Sequence, residues 1–179
     1  MTTNAHWPRN HETAKRNSYK KYFVSSCFRG CLIVFPWALG ACAPAPQTSA
    51  TPAAGSEMSR AVIDPYLKIQ TALADDSMDG VRAGAGDIAT AAAALGAPAT
   101  KIDTAAVQLA SATELEDART KFGVLSEAID TYMTGLHLVP PKGVKVAFCP
   151  MVLKPWLQAD AAIANPYYGK DMLTCGSFR

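Results

Sequence analysis

The sequence predicts an all-α domain: an up-and-down four-helix bundle with a C-terminal Cys-Pro-Met … Asn-Pro-Tyr-Tyr-Gly … Cys-Gly segment packed on it. Three observations carry this. Helix-start signals recur four times between Asp64 and Glu116. An apolar stripe at steps of three and four residues runs from Leu115 to Leu136. The links between the candidate helices are short, as antiparallel neighbours in a bundle require.

The first helix is expected to start at Asp64-Pro65, an N-cap acceptor followed by proline at the first helical position, and to run to about Asp75 with Tyr66, Ile69 and Leu73 on one face. Asp76 or Ser77 caps the second, which carries Met78, Val81, Ile88 and Leu95 and stops at Gly96 with Pro98 just beyond. Gly80, Gly84 and Gly86 weaken that helix by about 1 kcal/mol each relative to alanine, which close helix packing offsets. The third helix begins at Thr100 and Asp103 and buries Ile102, Ala106 and Leu109. Thr113 and Glu116 form a capping box for the fourth, whose stripe is Leu115, Ala118, Phe122, Leu125, Ile129, Tyr132 and Leu136. His137 at its end reads as a partner for the helix dipole rather than a metal ligand.

After Pro140-Pro141 the pattern changes. Val144–Phe148 alternates like an extended segment and runs into Cys149-Pro150-Met151, Asn165–Gly169 is a turn, and Asp171–Gly176 makes one helical turn. In an extended chain, residues two apart share a face, which pairs Cys149 with Met151; in a helical turn, residues three apart do so, which pairs Met172 with Cys175.

The 179-residue chain is 49% hydrophobic and 18% charged, with a mean hydropathy of +0.05, which suits one domain plus appendages and neither a disordered chain nor a multi-span membrane protein. Six of its 17 basic residues and one of its 15 acidic residues fall in 1–41, leaving 11 basic and 14 acidic in the remainder, a net charge of −3. Such a body lacks the electrostatic drive for nucleic-acid binding. Residues 1–41 read as an export signal: basic residues, then the apolar run Cys31–Leu39, too short for about 30 Å of hydrocarbon and broken by Pro36. Leu39-Gly40-Ala41-Cys42 has the form of a bacterial lipobox, with Cys42 as the lipidated residue. Residues 42–58 form a flexible tether and 59–179 the helical domain. The expected location is the periplasmic face of the outer membrane of a Gram-negative bacterium, with Ala43 after the cysteine favouring onward transfer.

The exported chain resembles the domain-of-unknown-function family numbered 3347. The residues that carry the likeness are Tyr66-Leu67, Ala72-Leu73, Asp75-Asp76, Ala118-Arg119, Phe122, Leu125-Ser126, Cys149-Pro150-Met151, Trp156-Leu157, Asn165-Pro166-Tyr167-Tyr168-Gly169, Met172-Leu173 and Cys175-Gly176. In that family the domain stands alone in exported lipoproteins or at the C-terminus of periplasmic adaptor subunits of copper and silver efflux pumps. The resemblance implies soft-metal handling, with an efflux pump or metallochaperone as partner, and brings no established catalytic activity with it. Val152-Leu153-Lys154-Pro155 is shorter than the family pattern.

Two readings of the sulfur residues stand side by side. Cys149, Met151, Met172 and Cys175 can bind Cu(I) or Ag(I), since thiolates and thioethers select soft ions. Without metal, Cys149 and Cys175, 26 residues apart, can close a disulfide contributing about 3–4 kcal/mol, and the domain is then a stapled protein-interaction module with Trp156, Tyr167 and Tyr168 beside a partner groove. Zinc suits this set less, because His137 is the only histidine beyond the leader. No base lies beside either cysteine and no Cys-x-x-Cys occurs, so the sequence predicts a binding protein and not an enzyme.

Overall fold

The computed structural model describes residues 55–179. The expected leader, Cys42 and the tether as far as residue 54 lie outside the described residues. Four helices are joined by a three-stranded antiparallel sheet, so the domain is mixed α and β, and the all-α expectation is corrected.

Helix α1 (Arg60–Ala74) begins a turn earlier than Asp64-Pro65 suggested and holds Pro65 inside it. An interior proline costs about 3 kcal/mol. Burying Val62 and Ile63 completely, at about 1.5–3 kcal/mol each, offsets that cost. Helix α2 (Val81–Leu95) is entered through Gly80 at φ 74°. The Ser77 hydroxyl accepts the Asp79 N–H in the preceding link instead of capping the helix. Gly84 is where α2 meets α1, since a Cβ there would lie 3.1 Å from Ile69. A single 3₁₀ turn (Ala97–Ala99) leads into α3 (Thr100–Ala110). Helix α4 (Leu115–Gly135) buries the expected stripe through Ala118, Phe122, Leu125 and Ile129, but it starts from Glu114 without a side-chain cap, so the expected capping box is not made.

Strands β1 (Lys145–Cys149), β2 (Lys154–Gln158) and β3 (Ser177–Phe178) form the sheet in the order β2-β1-β3. β1 alternates as its sequence suggested. β2 hides because Pro155, Trp156, Leu157 and Gln158 are all buried, which erases the period of two, and because its proline reads as a breaker. Pro155 is tolerated by position. The Leu157 N–H points away from β1 and donates to the Tyr66 hydroxyl at 3.2 Å, and the nitrogen two residues earlier lies on the same outer edge, where no ladder bond is lost.

Sheet and helices are pinned by a run of aromatic rings. Tyr66 stacks on Phe122 with centroids 4.8 Å apart, Phe122 meets Tyr167 at 6.1 Å, and Tyr167 meets Trp156 edge-on at 5.9 Å. The buried Tyr66 hydroxyl also bonds Ser126 of α4 at 2.7 Å, and burial pushes its pKa well above the ordinary tyrosine value. The last residues of the expected tether belong to the folded unit: Glu57 bridges Val139, and Met58 is 1% exposed.

Candidate functional site

Cys149 closes β1 on the face it shares with buried Ala147, and it is itself fully buried. Cys175 arrives from the other end of the lobe. A 3₁₀ turn (Gly169–Met172), two residues earlier than the expected helical turn, brings the chain round, and the Cys175 N–H donates to the Met172 carbonyl at 3.0 Å. Gly176 then permits close approach: its φ is +141°, and a Cβ there would stand 2.5 Å from the Trp156 ring and 3.0 Å from the Phe148 carbonyl oxygen. The Cys149 sulfur and the Cys175 carbonyl thereby come within reach of one side chain, the Asn165 amide. Burial first, and the neighbouring sulfur second, push the Cys175 pKa above the usual thiol value. Both cysteines are thiols in this structure.

The methionines are placed differently. Met151 is 60% exposed and Met172 37% exposed. β1 ends at Cys149 and residues 150–153 turn, so the period of two that was expected to align Cys149 with Met151 stops before it reaches Met151. Met172 is the last residue of the 3₁₀ turn and is tied to Cys175 through the backbone alone, by the Cys175 N–H on its carbonyl, so the helical turn expected to pair their side chains is not formed. The two cysteine segments are brought together at Asn165, and both thioethers lie at the surface.

One side chain joins both cysteine segments. Asn165 is fully buried, and its amide nitrogen donates to Cys149 Sγ at 3.3 Å and to the Cys175 carbonyl at 2.7 Å, while its Oδ1 accepts the Tyr167 N–H at 2.8 Å. The helices grip its neighbours: Gln70 of α1 donates to the Ala164 carbonyl at 2.7 Å, and Arg119 of α4 donates to the Pro166 carbonyl at 3.1 Å. Arg119 also bonds the Leu73 carbonyl and pairs with Asp76, whose carboxyl it holds below the usual aspartate range. Gly169 leaves the space this pair occupies, since a Cβ there would collide with both side chains. Of the acidic residues Asp75, Asp76 and Asp79, Asp76 is therefore a structural partner. In the sequence Asn165 reads only as a turn former and as part of the motif that carries the family resemblance. The available signal was its place as an amide between two cysteine segments, next to a proline that fixes the backbone.

Among the described residues no three His, Cys, Asp or Glu side chains converge as a metal cluster. His137 is exposed at the far end of α4 at φ 54°, where its carbonyl accepts the Gly55 N–H. Trp156 is buried in packing and lines no groove, and Tyr167 is buried apart from one edge. Tyr167 and Tyr168 edge a cleft of about 410 Å³ that Arg119, Val152, Lys154 and Asp171 also line.

No family model, curated protein or solved structure matches this chain.

Proposed function

We propose that this protein is an exported, lipid-anchored soft-metal binding protein, accessory to copper or silver efflux or homeostasis, in which Cys149 and Cys175 take up Cu(I) or Ag(I). The observation that carries the reading is that two cysteines from distant segments, one at a strand end and one beyond a 3₁₀ turn, are held by the same buried amide, which touches the sulfur of one and the carbonyl of the other. Soft monovalent ions accept low coordination by sulfur, so two adjacent thiolates suffice to hold one. Met172, linked to Cys175 by its turn, is the better placed of the two thioethers to assist; Met151 serves at the rim. Metal binding and oxidation of the pair exclude each other, since each consumes the same two sulfurs.

The second reading, a disulfide-stapled interaction module, draws on the same joining of the two cysteine segments and on the exposure of Met151, which a disulfide does not need. One experiment separates them. Thiols are counted in protein taken from the periplasm without reductant, and the protein is then titrated anaerobically with Cu(I) against a competing chelator. Free Cys149 and Cys175 with one tightly held Cu(I) support the metal reading. An oxidised pair that, once reduced, takes up no copper supports the staple.

A further inference from the structure

We propose that Asn165 is the positioning residue of the thiol pair, holding Cys149 and Cys175 at a fixed spacing before any ion arrives; this rests on the soft-metal reading of the site. The pairing of β1 with β3 through Phe148 and Ser177 sets the two segments in register but stops short of the cysteines themselves. β1 ends at Cys149, and β3 begins only at Ser177, so no ladder bond joins the two cysteines directly. The Asn165 amide nitrogen spans that gap, with one N–H on the Cys149 sulfur and the other on the Cys175 carbonyl.

The amide is itself immobilised. Its oxygen is used by the Tyr167 N–H, its backbone N–H donates to the Leu173 carbonyl at 2.7 Å, and its backbone carbonyl accepts the Gly169 N–H at 3.1 Å. Gln70 and Arg119 hold the carbonyls on either side. The last link to the Cys149 sulfur and the Cys175 carbonyl is the Asn165 side chain alone. An N–H aimed at a ligating sulfur is the kind of outer contact that orients a metal ligand, and losing such contacts typically lowers metal affinity about 10–100-fold.

The test uses the full chain, reduced and anaerobic, as wild type, Asn165→Asp and Gln70→Leu. Asn165→Asp keeps the acceptor for Tyr167 and removes both donors. Gln70→Leu removes a hydrogen bond from the same turn and leaves the sulfur contact alone. Phenylarsine oxide joins two neighbouring thiols, forming two As–S bonds with loss of water and no change of oxidation state, so it reads spacing without a soft ion. Mass spectrometry should map a Cys149–Cys175 bridge in wild type and in Gln70→Leu. Asn165→Asp should bridge about tenfold more slowly and lose about 10–100-fold in Cu(I) affinity, beyond Gln70→Leu at comparable thermal stability. Bridging by Asn165→Asp at the wild-type rate, or equal losses in both variants at equal stability, overturns the proposal. Should Asn165→Asp not fold, the side-chain amide resonances of Asn165 in wild type decide: they must move when the arsenical binds, and unmoved resonances overturn the proposal. A wild type that bridges but takes no Cu(I) sinks the soft-metal reading and leaves the role of Asn165 intact.

Discussion

The helical layer and the C-terminal lobe are held by different means. In α1–α4, stability is spread over a repeated apolar stripe, and Val62, Ile69, Phe122, Leu125 and Ile129 are interchangeable in kind if not in shape. In residues 140–179, single polar side chains hold whole segments. Gln158 accepts the Trp156 indole N–H and the Ala164 N–H and donates to the carbonyls of Asp160 and Ala162, Asn165 joins the cysteine segments, and Tyr66 reaches across from α1 to β2. Distributed packing tolerates change and is readable as a period. Point-like hydrogen bonding is specific and leaves no period to read. It is also the kind of construction that sets two sulfurs at a chosen spacing.

The comparison can be broken first in the core. Phe122→Ala should cost about 3–5 kcal/mol in denaturant unfolding, because Phe122 is fully buried between Tyr66 and Tyr167. A loss below about 1 kcal/mol would show that the seam is not the main support. Tyr66→Phe should cost about 1–3 kcal/mol by leaving the buried Leu157 N–H without its acceptor. Its effect should be regional: amide exchange should quicken in β2 more than in α2. Uniform quickening would dissolve the distinction between the two regions.

The Arg119–Asp76 contact sharpens the comparison through pH. The Asp76 carboxyl is held below its ordinary value of 3.8, so its contribution to stability is complete above that value and is lost as the pH falls through the lower folded one. Arg119→Met should therefore flatten the fall in stability below about pH 4. An unchanged acid limb would place the acid sensitivity elsewhere. The smallest structural effect is expected at Met151. Met151→Leu should leave stability within about 0.5 kcal/mol at this exposed site, and a larger loss would mean that the rim is packed.

These differences explain how much was legible in the sequence. Helix α4 could be read because its stripe has one period and no competing signal. The start of α1 could not, because Asp64-Pro65 is a strong local start signal that the burial of Val62 and Ile63 overrides. β1 was visible as an alternating segment but lacked a partner, since β2 combines a proline with a fully buried run and β3 is two residues long. At the site, the approach of the two cysteines follows from a turn between them, which Asn165-Pro166 and Gly169 announce. The exposure of Met151 follows from where β1 stops, and that is a tertiary fact.

The central claim is that Cys149 and Cys175 act together as the ligands of a soft ion. Its most direct test is anaerobic Cu(I) competition titration of reduced wild type beside a Cys149→Ser, Cys175→Ser double variant, with matched circular dichroism to show that both are folded. The account predicts one tightly bound Cu(I) in the wild type that disappears in the double variant. Equal copper uptake by the two proteins, or none by the wild type, would contradict it.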